Sequence, residues 1–283
     1  MTSPNPPTTG TDATKQVICI KWGTIYGPKY VNVLHSMVAR NITGAFRVFC
    51  FTDDTRGIRP EVTCLPLPEL GVEIPPGIRG KWKKQALWGA DLYGVKGTVL
   101  FIDLDSIIVG NIDCYFTHGE PGDVITARNW LKPQSRVAQT TVFRMEVGKH
   151  AYMLENLRAD PAGIARKYEW EQSYVTHCLR GGFKTWPESW TRHFRMHCLP
   201  SWPLRYFRAA TLPADARIIA CPGGPNPAHV MHGHWRAGAV HRTPWQHLAY
   251  CVRNFGRTEK PFLREITCYA RPVPWVARHW RED

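Results

Sequence analysis

The sequence of 283 residues has no apolar run approaching the roughly 18 to 20 residues that a membrane-spanning helix needs, so the chain is not expected to be an integral membrane protein. It has no Cys-x-x-Cys pair. Its 9 cysteines stand singly and are odd in number, and the N-terminus lacks the basic stretch and apolar segment of a secretory signal. Together these absences predict a reduced, cytoplasmic compartment. No segment repeats at a solenoid period. Charge is scarce as well: charged residues make up 21%, against 43% hydrophobic and 12% aromatic residues, which excludes disorder over the whole length. Acidic residues are the scarcer sign, 23 against 36 Lys and Arg, for a formal net charge of +13. An excess of that kind suits nucleic acid, an anionic membrane surface or a phosphate-bearing small substrate, and charge alone does not choose among them.

What is present reads as an alternation of strands and helices. Residues 1–14, rich in Pro, Thr and Ser, have almost nothing to bury and are expected to form a disordered leader. Val17 to Ile20 is a buried strand; Pro28 then opens a segment in which Val31, Leu34 and Val38 fall at helical spacing, and Arg47 to Phe51 is a second strand. This β-α-β opening predicts an open sheet with ligands beyond the C-terminal ends of its strands. Ile58 to Gly80 reads as connecting loop, Lys83 to Tyr93 as a helix and Thr98 to Ile102 as a buried strand that runs straight into Asp103-Leu104-Asp105. Strands are expected at Asp123 to Ala127, Thr141 to Met145 and Arg217 to Cys221, and helices at Gly148 to Asp160 and Glu169 to Arg180. Periodicity fades beyond about Gly223. The expected organisation is a main domain over 15–246 and a C-terminal extension over 247–283, a helix plus an extended segment lying on the core.

In an extended Asp103-Leu104-Asp105 the two carboxylates would share a face, since side chains alternate with period two. They could then address one hard cation, Mn²⁺ or Mg²⁺, with substrate phosphates completing the coordination. The plain alternative for such a triplet is a solvated strand end; the apolar strand before it favours the functional reading. With Asn111, Ile112, Asp113 and Phe116 following, the block 98–116, TVLFIDLDSIIVGNIDCYF, resembles the glycogenin-like family of retaining, nucleotide-sugar-dependent glycosyltransferases. That resemblance, good over about 17 to 180, implies an α/β protein of GT-A type: a Rossmann-like mixed sheet flanked by helices, here with an irregular C-terminal segment.

The resemblance also implies roles. Lys84 in KKQALW matches a lysine that approaches the donor phosphates. The first strand and the residues after it, with Lys21, Trp22 and Tyr26, resemble a donor pocket in which Tyr26 stacks on uracil, and Leu104 belongs to the same donor site. Asp53 is a candidate for holding base or ribose, or else a turn and cap residue. Gln139 stands in the block that meets the sugar. Glu171 and Gln172 match the pair beside the reacting carbon, where they would position the sugar rather than attack it. The implied activity is metal-dependent transfer of a hexose from a UDP-sugar to a glycan, lipid-linked or other hydroxyl acceptor with retention, the metal being Mn²⁺ or Mg²⁺ on Asp103 and Asp105.

The family ends its site with H-x-x-G-x-x-K-P-W, whereas this chain has Ala220-Cys221-Pro222-Gly223-Gly224-Pro225-Asn226-Pro227; neither the histidine nor the lysine is in place. His229, His232 and His234 follow, as loop histidines, as one donor-metal ligand or, least favoured, as part of a zinc site. Arg236 is a candidate stand-in for the lysine. The segment 190–208 carries Arg192, Arg195, Arg205 and Arg208 among aromatics. It is read either as a packed loop or as a patch for an anionic acceptor, with peripheral contact to the inner face of an anionic membrane. Two other classes stay open: a binding protein of this fold that has lost turnover, and, less favoured, a nucleic-acid binder lacking a recognisable motif.

Overall fold

The computed structural model describes residues 14–131, 133–256 and 261–283; of the expected leader, only Thr14 lies within them. Strands β1 (Lys15–Lys21) and β2 (Phe46–Thr52) flank helix α1 (Pro28–Asn41), followed by β3 (Val62–Leu65), a 3-10 helix (Trp82–Trp88), β4 (Thr98–Ile102) and β5 (Ser106–Ile108). After α2 (Cys114–Thr117) come β6 (Ile125–Arg128), β7 (Ala138–Glu146), α3 (Tyr152–Ala159), α4 (Pro161–Tyr168), α5 (Glu171–Cys178) and β8 (Lys184–Thr185). The chain continues through β9 (Thr191–His193), β10 (Ile218–Ala220), α6 (Pro227–Val230), α7 (Pro244–Arg253), α8 (Phe262–Thr267) and α9 (Pro274–His279).

Seven strands make the main sheet in the order β3-β2-β1-β4-β7-β6-β8. Neighbours pair in parallel except β7, which runs antiparallel to both β4 and β6. A smaller sheet has the order β5-β10-β9. Strand β4 is apolar from Val99 to Ile102 because both faces are covered: Leu100 and Ile102 enter one cluster with Val31 and Leu34 of α1, whereas Val99 and Phe101 enter the other with Leu157 and Tyr174 of the helices opposite. The predicted sheet strands are therefore found where periodicity put them, with limits shifted by a few residues.

Several expectations are corrected. The helix expected over Lys83 to Tyr93 is a single 3-10 segment ending at Trp88; Gly89 follows it, and a Leu92–Val95 bridge then closes a tight turn through Tyr93 and Gly94. The helix expected over Gly148 to Asp160 starts at Tyr152, and the one over Glu169 to Arg180 is confined to Glu171–Cys178. Helix α4 was not anticipated, although its signal is in the sequence: Asp160 accepts from the Gly163 amide at 2.9 Å as N-cap, and Pro161 fills the first turn. The loop expected over Ile58 to Gly80 contains β3, which pairs with β2.

Among its described residues the tail forms three helices rather than one helix and an extended segment, and the expected division at 246/247 falls inside α7. Val273, Trp275, Val276 and Trp280 join the same core cluster as α1 and β10, and the Trp275 indole donates to the Ala210 carbonyl at 3.1 Å. Among the described residues no helix is long and apolar enough to cross a membrane. Trp280 is 2% exposed and meets Tyr30 edge-on. Emptying its site by Trp280→Ala is expected to lower the unfolding free energy by about 3 kcal/mol, read as a shift of the urea midpoint at unchanged m-value; a midpoint within error of wild type would show that the tail is not part of the cooperative core.

Candidate active site

A cavity of about 970 Å³ opens beyond the C-terminal end of β4. The backbone does not stay extended there. The Ser106 amide donates to the Asp103 carbonyl at 3.0 Å, so Asp103-Leu104-Asp105 is a tight turn, which drops Leu104 into the core and leaves both carboxylates lining the cavity. The shared face anticipated from strand alternation is reached by this turn instead.

The two acids are held differently. Lys84, buried on the 3-10 helix, has its Nζ 3.0 and 3.2 Å from the Asp103 oxygens and donates to the Thr140 carbonyl of β7 at 2.9 Å. Its ammonium is thus held by protein oxygens on both sides. Burial pushes the Asp103 carboxyl up and Lys84 pulls against it. Among the described residues Asp105 has no ion-pair partner: its Oδ2 accepts from the Tyr26 hydroxyl at 3.0 Å. Burial and the neighbouring Asp103 charge raise it to about 6, only partly opposed by Tyr26. Tyr26 also packs against Tyr30 with ring centroids 4.9 Å apart, so its hydroxyl is a partner of Asp105 as well as its ring a wall of the cavity.

Trp22, Gln139, Glu171 and Gln172 line the same cavity, whereas Lys21 and Asp53 do not. Lys21 is buried and donates to the Asp54 carbonyl at 3.1 Å; Asp53 accepts from the Gly23 amide at 2.9 Å. Both fasten the loop that carries Trp22 and Tyr26. Gln139 donates to the Thr141 hydroxyl at 3.3 Å. Glu171 is buried at the start of α5 and accepts from the Lys81 amide at 2.8 Å. Gly80 lies against that carboxylate with φ of +108°, and a Cβ there would stand 2.5 Å from Glu171 Oε2, so only glycine lets the loop approach.

His229 lines the cavity; His232 and His234 do not. Among the described residues no three His, Cys, Asp or Glu side chains come together as a metal-ligand set, so His229 does not complete one with the two aspartates and the zinc alternative falls. The donors that are present still suit a hard dication: two carboxylate groups, one raised by the charge of the other, form the partial oxygen set that such an ion shares with phosphate. Arg236, the expected stand-in for the lysine, lines the cavity while its guanidinium pairs with Glu265. Arg205 likewise donates to the Pro200 and Thr267 carbonyls and ties the loop to α8. Sequence reasoning did not single out Arg79, Lys81 and Trp235, and it set Arg195 only in the acceptor patch; all four line the cavity. Arg195 sits beside Gly223, in the stretch that replaces the absent histidine and lysine, and its buried Nε has no partner among the described residues. The dense basic run Arg79-Gly80-Lys81-Trp82-Lys83-Lys84 was the available signal for the first two.

No protein-family model and no curated protein matches the sequence. Solved structures do. A galactosyltransferase, LgtC, in complex with donor and acceptor sugar analogues is 13% identical, with 76% of this chain matched to 89% of that one at a TM-score of 0.55. The fold is GT-A. The apo bifunctional glycosyltransferase WbbM matches 79% of this chain at 10% identity and a TM-score of 0.53, and the chain spans about half, 48%, of its length. The glycosyltransferase GlyE of Streptococcus pneumoniae TIGR4 matches 92% of this chain and 65% of its own at 11% identity and a TM-score of 0.52. These likenesses establish the fold of nucleotide-sugar glycosyltransferases for this chain, as the block 98–116 implied.

The unequal support of the two acids has a measurable sign. The folded protein holds the Asp105 proton more tightly than an ordinary carboxyl near 3.8, so in metal-free protein this group costs stability as pH rises from about 4 through about 6. The Asp105→Asn variant is therefore expected to gain on wild type in urea midpoint across that window. A constant offset between the two from pH 4 to 7 would show that Asp105 titrates normally.

Proposed function

We propose that the chain is a metal-dependent glycosyltransferase that moves a hexose from a UDP-sugar to a hydroxyl acceptor, with retention at the anomeric carbon. The observation that carries this reading is the pair of carboxylates lining the cavity, of which, among the described residues, Asp103 alone has an ion-pair partner. Asp103 and Asp105 would hold Mn²⁺ or Mg²⁺, which when bound supplies Lewis-acid neutralisation of the diphosphate leaving group. Lys84 fixes Asp103 and opposes the upward push that burial gives its carboxyl. Tyr26 orients Asp105, and Trp22 with the Tyr26 ring offers an aromatic wall for the base. Arg195, together with the exposed Arg79 and Lys81, presents donors where a diphosphate collects charge; Arg195 takes the part of the missing lysine. Glu171, anchored by the Lys81 amide, and Gln172 face the same cavity from α5 and stabilise positive charge developing at the sugar. Gln139 meets the sugar hydroxyls.

The acceptor is a glycan or a lipid-linked glycan. Met196, Trp202, Leu204 and Phe207 are exposed in the segment 190–208, which supports peripheral contact with an anionic membrane at the cytoplasmic face through apolar insertion next to Arg208, rather than through Arg205.

Calorimetric titration of UDP with and without Mn²⁺, on wild type and on Asp105→Asn, tests the donor site. Binding that strengthens at least tenfold with Mn²⁺ and loses that gain in the variant is expected, followed by metal-dependent hydrolysis of one UDP-sugar in a panel. Metal-independent binding without hydrolysis or transfer would instead establish a binding protein that has lost turnover.

A further inference from the structure

A second pocket of about 230 Å³ lies behind the cavity, built by the turn 233–240 and by α7, α8 and the residues after it. The segment Trp235-Arg236-Ala237 lines both spaces, so the two adjoin along it. At the inner end sits Glu265, 3% exposed. One of its oxygens accepts from the Arg236 guanidinium; the other, Oε2, is buried with no hydrogen-bond partner among the described residues. A buried carboxylate oxygen left unpaired is costly, and such a group calls for a donor that the described residues do not supply.

The walls narrow the chemistry of that donor. Tyr250, Tyr269, His247 and Trp235 give the pocket aromatic faces, stiffened by the Tyr206–Tyr269 stack with centroids 4.6 Å apart and by the Tyr206 hydroxyl donating to the Ile266 carbonyl at 2.6 Å. Arg242 lies 3.9 Å over the Tyr250 ring and faces the same space as Arg236. An anion entering would meet the unpaired Glu265 oxygen, and a cation would meet two guanidinium groups. A neutral polyol with an apolar face satisfies all three: a hydroxyl donates to Glu265, other hydroxyls accept from the arginines, and the C–H face lies on an aromatic ring. A single sugar ring fits the volume.

We propose that this pocket is a second carbohydrate subsite, holding a neutral hexose unit of the acceptor away from the transfer point while its terminal hydroxyl reaches past residues 235–237 to the donor. The assignment of that hexose to the acceptor rests on the glycosyltransferase reading; the sugar affinity of the pocket does not. The acceptor is thus an oligosaccharide or glycolipid with at least two sugar units, and a single sugar is a poor acceptor because it cannot occupy both sites.

Methyl hexopyranosides of gluco, galacto and manno configuration, titrated into the full chain without UDP or metal and followed by saturation-transfer NMR, test the subsite. At least one is expected to bind. Glu265→Gln and Tyr250→Ala should each weaken it at least tenfold, with thermal unfolding of both variants checked; Tyr250→Ala keeps the test valid should Glu265→Gln fail to fold. Asp105→Asn should leave this binding unchanged. Absence of binding by all three glycosides, or binding that Asp105→Asn abolishes and Tyr250→Ala leaves intact, overturns the proposal. Either result leaves the metal dependence of UDP binding as it was, so the failure of the subsite and the failure of the donor site are read separately.

Discussion

Two carboxylates at the end of one buried strand are hard to keep ionised together, and the site is organised around that difficulty. The protein supplies one full positive charge, from Lys84, and gives it to Asp103. Asp105 receives a phenol hydrogen bond instead, which leaves its carboxyl raised to about 6. A neutral donor does not cancel a charge. The result is a spot that attracts cations in a chain of net charge +13, ringed by Arg79, Lys81 and Arg195, which favour anions. The metal diphosphate of the proposed reaction would meet both demands at once, whereas neither a bare anion nor a bare cation would.

The scaffold follows from the same requirement. β4 lies between β1 and β7 with both faces covered, so its end is a fixed point and not a flexible loop. The reversed direction of β7 brings Thr140 and Thr141 alongside the turn: the Asp103 amide donates to the Thr141 carbonyl at 2.9 Å while Lys84 reaches Thr140. Ion pair, turn and strand pairing thus share residues, and loss of one loosens the others.

How much of this the sequence displayed depends on the range of each interaction. The apolar run 98–102 ending in Asp103-Leu104-Asp105 was readable because double burial makes a strand uniformly apolar, and the block that follows carried the family resemblance. Helix α4 was readable in principle from Asp160-Pro161 and was missed; the helix expected at Lys83 to Tyr93 failed because Gly89 and the tight turn at Tyr93 and Gly94 override its spacing. Partner choice was not readable at all. Arg236 and Arg195 are equally plausible phosphate ligands as letters, and only the fold shows that the first also pairs with the buried Glu265, 29 residues away in the chain. Lys21 and Asp53 stand in the right neighbourhood, but their hydrogen bonds turn them toward the loop and not the cavity.

The contact between Gly80 and Glu171 carries a further meaning. A residue with no side chain, at φ of +108° and 91 positions from the acid it crowds, acts as the mould for that carboxylate. In a scan of all substitutions scored by turnover, Gly80 would register with the chemical groups of the site although it has nothing to react with, and a ranking of sensitive positions would mistake a shape requirement for a chemical one.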